Sequence, residues 1–109
     1  MSEYGSQSMV DPLKRVVVHR PDAVFGSADP EHWHYTAPPN LEVARQEHDA
    51  LVGTLGDAGA EVLHVDLDDA DSADAIYVHD PCIVADAGAI LLQMGKSLRR
   101  KEPATLGRE

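Results

Sequence analysis

Apolar residues recur along this chain in two rhythms, and the rhythm predicts the element. Arg15-Val-Val-Val-His19 is a β-branched run closed by Arg20-Pro21, which predicts a buried strand. Residues 21–40 carry Pro21, Gly26, Pro30, Pro38 and Pro39, which predicts a long loop of the kind that often carries function. Leu41, Ala44, His48, Leu51 and Leu55 then recur at helical spacing behind Asn40, a natural N-cap. The helix predicted there runs from about Leu41 to Asp57, with Gly56 and Gly59 as its stop signal. Four further strands are expected at Glu61–Val65, Ala75–Val78, Cys82–Ala85 and Ala89–Met94, the last two joined by a turn at Asp86-Ala87-Gly88. Pro103 to Arg108 opens a last helix. The order β, α, β, meander, α predicts a mixed α/β fold.

Composition narrows the class. In 109 residues, 43% are apolar, enough for one core. The longest apolar stretch, Ala87 to Leu92, is interrupted by Gly88 and is far short of the ~20 residues of a membrane span. The N-terminus lacks the basic-then-apolar pattern of a secretory signal, and a single cysteine leaves no disulfide framework, so the expected setting is cytoplasmic. Residues 1–12 are polar and read as a flexible N-terminus.

Charge is uneven. Residues 1–95 hold four Lys or Arg against seventeen Asp or Glu, a net of −13, whereas residues 96–109 hold five against two, a net of +3. An acidic body repels phosphate backbones, so no nucleic-acid partner is expected. The basic tail reads either as an anion patch or as a solvated helix start.

Cys82 lies in an apolar run and reads as buried and inert. His32-Trp33-His34 places two imidazoles at i and i+2, but no third ligand follows at metal spacing, so neither metal nor cofactor is expected. Gly95-Lys96-Ser97 is not a phosphate loop, because Ile90 stands where the upstream glycine belongs. The more telling stretch is Asp74-Ala-Ile-Tyr-Val-His-Asp80-Pro81. Asp74 and Asp80 share parity, so an unbroken strand would aim both carboxylates at one face. Such a pair suits a planar guanidinium bound between them; the alternative is two acids capping strand ends in solvent. Arg99 and Arg100, just past a strand end, could pair with a substrate carboxylate.

These residues resemble the guanidino-group-modifying enzymes: dimethylarginine dimethylaminohydrolase, arginine deiminase and the amidinotransferases. Tyr77-Val-His-Asp-Pro81 is similar to the aromatic-x-x-Asp-Pro signature of that family, and Leu98-Arg-Arg-Lys-Glu-Pro103 to its Arg-Arg-Gly-Glu segment. Val16-Val-Val-His-Arg-Pro21 and Ala44 to Leu51 fit more loosely. The resemblance implies the N-terminal part, about two ββαβ blades, of a five-bladed α/β propeller, with residues 13–109 a partial domain truncated at its C-terminus. It implies that Asp80 grips a guanidinium, that Asp74 lines the same pocket, that Arg99 binds the substrate α-carboxylate, and that Phe25 lies in a mobile flap. His79 departs from the family, whose members often carry Arg or Glu there. The chemistry implied is covalent catalysis by a cysteine and a histidine of the C-terminal half, without counterpart here, so the chain alone is expected to be inactive. The expected partners are a small guanidino substrate and either a second copy or a complementary C-terminal chain, with no membrane. A non-catalytic acidic module binding a cationic ligand or protein is the alternative.

Overall fold

The long helix behind Asn40 shows most plainly how sequence becomes structure. The computed structural model describes residues 8–109, and in it α3 spans Leu41–Asp57. The Asn40 side chain accepts the Val43 N–H at 3.1 Å, satisfying a donor that the helix leaves open. Gly59, at φ 99°, supplies the left-handed residue just beyond the end. The packed stripe is Leu41, Ala44, Arg45, His48, Val52 and Leu55, all half-buried. Leu51 is 53% exposed, so the stripe turns through Val52 and not through Leu51 as expected.

Strands β1 (Arg15–Val18) and β2 (Glu61–His64) flank α3 in the chain and pair in parallel, Arg15 opposite Glu61 and Val18 opposite His64. Parallel pairing requires a crossover, and α3 forms most of it. Only Val18 of β1 is buried, so the expected buried strand is half open; its other neighbours in the ladder are absent among the described residues. The expected loop between β1 and α3 contains two short helices, α1 (Ala23–Gly26) and α2 (Pro30–Trp33). Each is capped by an aspartate: Asp22 accepts from Phe25 N at 2.9 Å and Asp29 from Glu31 N at 3.0 Å. Trp33 is buried against Ala28 and Ala73, with Tyr35 and Leu98 packed around them, while His32 and His34 face water.

Strands β3 (Cys82–Ala85) and β4 (Gly88–Leu91) form a separate antiparallel hairpin. Gly88 sits at φ 136°, where a side chain would be strained. Ile83 and Ile90 are cross-strand partners and remain 55% and 61% exposed. A final short helix, α4 (Glu102–Leu106), closes the described chain.

The strand expected at Ala75–Val78 does not form. Ala73–Ile76 is a 3-10 helix, with Ala75 N–H bonded to Ser72 O at 3.2 Å and Tyr77 N–H to Asp74 O at 3.0 Å. Asp80 N–H then turns back to Tyr77 O, and Pro81 has no N–H to continue a ladder. Burial of the Asp74 side chain outweighs the β preference of Ile-Tyr-Val. The fold is thus mixed helix and strand with two small sheets. Among the described residues no helix is long and apolar enough to cross a membrane. Residues 1–7 of the expected flexible N-terminus lie outside the described residues.

Candidate functional site

Turns and the last helix bring together side chains that the sequence spreads over residues 72–102. Asp74, on the 3-10 helix, is buried, with one carboxylate oxygen accepting from Tyr35 OH at 2.6 Å and the other from Lys96 Nζ at 2.7 Å. Lys96 also donates to the Trp33 carbonyl at 2.9 Å, and its ammonium lies 5.1 Å from the Trp33 ring centroid. Burial and the negative Asp74 together hold the Tyr35 phenol well above its ordinary range, so it stays a donor.

Arg99 is the second focus. Its Nε and one terminal nitrogen grip Glu102 at 2.8 Å each, the forked pairing that guanidinium geometry favours. Its other terminal nitrogen donates to Asp80 at 2.8 Å. Glu102 is fully buried and accepts a further bond from Ser72 Oγ at 2.6 Å. The Tyr77 ring lies 5.8 Å from the guanidinium carbon. Glu102, and then Asp80, raise the Arg99 pKa further, against the opposing effect of burial.

Asp74, Asp80 and Arg99 are therefore neighbours, but not for the reason the strand pattern suggested. Arg99 bridges the two segments, with one nitrogen on Asp80 and a weaker 3.3 Å contact to the Asp74 carbonyl. The shared strand face is replaced by one buried acid on a helix and one half-open acid in a turn: the Asp80 side chain is 46% exposed and that of Asp74 only 9%. His79 is exposed in the turn beside Asp80. Phe25 is half-buried in α1, its ring 6.2 Å from that of Tyr35. Those two rings, with Thr36, Pro39, Ile76 and Tyr77, line an open hollow of about 300 Å³.

Sequence reading missed Tyr35, Lys96 and Glu102 as members of this group. The i, i+3 spacing of Arg99 and Glu102 is a usable helical signal. Nothing local points Lys96 at an acid twenty-two residues upstream. Cys82 is half-buried at the start of β3, and burial pushes its thiol pKa up, which disfavours the thiolate.

The charge balance follows from the contacts. Three carboxylates, Asp74, Asp80 and Glu102, meet two cations, Lys96 and Arg99, leaving one negative charge. Its most open holder is Asp80.

No family model matches the chain. Over 63 residues, 55% of this chain, it is 38% identical to an arginine deiminase of Clostridium perfringens (strain SM101 / Type A), and over 62 residues, 54% of this chain, 39% identical to an arginine deiminase of Limosilactobacillus reuteri (strain DSM 20016). The chain spans about 15% of the length of each of these curated relatives. The similarity is to guanidino-modifying enzymes, and it covers about half of the chain.

Proposed function

We propose that this chain is the N-terminal, substrate-binding portion of an amidinohydrolase or amidinotransferase that acts on arginine-like guanidino compounds. Asp74, His79, Asp80, Arg99 and Phe25 are its substrate-binding residues. The observation that carries the reading is that Asp80 already holds a guanidinium, that of Arg99, at 2.8 Å with half its own surface open. A carboxylate positioned for one guanidinium in this way is positioned for another. Arg99 is anchored independently by two bonds to Glu102, so its third arm can leave Asp80 for a substrate carboxylate without the side chain losing its place. The spare negative charge of the group is what an incoming cation neutralises. The aromatic hollow beside Tyr35 and Tyr77 suits the aliphatic stem of an arginine.

On this reading residues 13–109 contribute about two blades of a five-bladed α/β propeller. The open side of the β1–β2 sheet and the exposed Ile83 and Ile90 are surfaces that further blades, a second copy or a complementary chain would cover. The nucleophilic cysteine and the proton-transferring histidine of the covalent chemistry lie outside these residues. The similarity to two arginine deiminases over half the chain supports the same class.

Calorimetric titration with L-arginine and with N-methylated arginines tests the proposal. Saturable binding is expected, weakened at least tenfold by Asp80→Ala and unchanged by Asp69→Ala, an exposed acid elsewhere. Equal weakening by both variants, or no binding at millimolar ligand, overturns the pocket. Turnover of an arginine analogue by this chain, lost on Cys82→Ala, overturns the division of labour.

A further inference from the structure

A second polar group gathers past the C-terminal ends of β1 and β2. His19 follows β1, Asp22 caps α1 and Asp68 follows β2. One ligand atom from each lies within 4.8 Å of the other two. His19 is 5% exposed and Asp22 8%, so two members are held in the interior, while Asp68 is open to solvent. The three border an open hollow of about 230 Å³, lined also by Asp66 and His64.

The hydrogen bonding of His19 shows what the gap needs. Its Nδ1 lies 3.0 Å from the Val65 carbonyl and its Nε2 faces the Asp22 carboxylate, both of which only accept, so a ring with one hydrogen satisfies one of them, the carbonyl when the hydrogen is on Nδ1. In the neutral ring Nε2 is then a lone pair, and it faces the Asp22 carboxylate at 3.0 Å. That lone pair is answered either by a second ring proton, which makes His19 and Asp22 a buried ion pair, or by a metal ion bound to Nε2 and the carboxylate together. The cations of this chain that border the hollow point elsewhere. Arg20 is forked onto Asp49 at 2.9 and 3.0 Å, and Arg45 Nε donates to the Pro21 carbonyl at 2.8 Å.

We propose that His19 Nε2 and one carboxylate oxygen each of Asp22 and Asp68 form a divalent-metal site, with zinc the ion it suits best. One imidazole and two carboxylates are a mixed donor set that borderline ions accept, and the open Asp68 side leaves a fourth position for water. Ligand atoms around a tetrahedral zinc lie about 3.3 Å apart, only slightly beyond the present 3.0 Å between His19 and Asp22. The outer supports are in place: a backbone carbonyl on Nδ1, and the Phe25 N–H donating at 2.9 Å to the Asp22 oxygen that does not face His19. The three ligands are spread from residue 19 to residue 68, which is why no spacing in the sequence announces them.

The test is zinc titration of the 109-residue chain, freed of metal by a chelator, followed by calorimetry and by NMR of the imidazole nitrogens. One zinc per chain is expected, with His19 Nε2 shifting as a metal-bound nitrogen and Nδ1 keeping its hydrogen. Asp68→Asn, a change at an exposed side chain, is expected to weaken binding at least tenfold with circular dichroism unchanged. His32→Ala with His34→Ala is expected to leave the stoichiometry at one. The proposal is overturned if no zinc binds, if Asp68→Asn binds as tightly as the parent, if the His32/His34 double variant loses the ion, or if His19 keeps hydrogens on both ring nitrogens in saturating zinc.

Discussion

The β1–α3–β2 layer and the polar knot of residues 72–102 hold themselves together by different means. In the layer, apolar side chains of α3 lie half-buried on a parallel pair, and its ion pairs, Arg15 with Glu61 and Arg20 with Asp49, are exposed. Exposed pairs of that kind contribute little. In the knot the arrangement is reversed: Ser72, Asp74 and Glu102 are buried, as are Ala73 and Ala75 beside them in the chain. A buried carboxylate is tolerable only when every lone pair is answered, so the knot is all-or-nothing where the layer is graded. Substitutions should therefore act sharply in the knot and gently in the layer.

The largest effect is expected at Glu102. Glu102→Ala strands Arg99 with Asp80 as its one remaining carboxylate and leaves Ser72 Oγ without its acceptor. Removing one partner of a buried pair costs about 3–5 kcal/mol, and the surviving Asp80 contact places this case near the lower end. Urea denaturation of the variant measures it; a loss below about 1 kcal/mol would show that the knot is no tighter than the layer. Asp74→Asn should rank second, at about 1–3 kcal/mol, because Lys96 loses its counter-charge but keeps the Trp33 carbonyl and partial access to water. A larger loss from Asp74→Asn than from Glu102→Ala would reverse the order of the two foci.

In the layer, adjacent residues of α3 give a finer test. Val52 is half-buried and Leu51 is 53% exposed. Val52→Ala should cost about 1 kcal/mol and Leu51→Ala measurably less, although leucine is the larger side chain. The opposite order in thermal melts would restore the stripe that the leucine spacing suggests.

The two regions were also unequally legible. The α3 boundaries, the strands at 15–18 and 61–64 and the hairpin at 82–91 follow from periodicity, cap residues and turn glycines, because each is a local signal. Apart from the i, i+3 pair of Arg99 and Glu102, the knot is assembled by long-range polar contacts, which have no period. Asp74 and Asp80 stood out by type and by resemblance, yet the strand that was to align them is a 3-10 helix, since tertiary burial of Asp74 decided the local conformation. Lys96 and Tyr35 left no trace in the pattern: their partners lie twenty-two and thirty-nine residues away. Leu51 was misread because Leu41, Ala44, His48 and Leu55 fit a stripe completed by either Leu51 or Val52, and tertiary packing half-buries Val52.

The smallest effect expected is a pH dependence within the layer. His48, on the packed face of α3, has a buried Nε2 with no hydrogen-bond partner, and its ring stands 6.2 Å from that of His64. Burial lowers its pKa below the usual histidine value, with His64, Arg20 and His19 adding to the effect and Asp49 opposing it. The unfolded chain therefore binds a proton at this position more readily than the folded one. Stability from the neutral ring is fully present above the unfolded value, about 6.5, and is lost as pH falls from there through the folded value. His48→Leu removes that proton linkage. Between pH 7.5 and 5.5 the melting temperature of the parent should fall more than that of His48→Leu, and the gap should close above pH 7.5. Parallel curves for the two proteins would mean that the ring takes up its proton as easily in the fold as outside it, and that the layer is open enough at His48 to hydrate the charge.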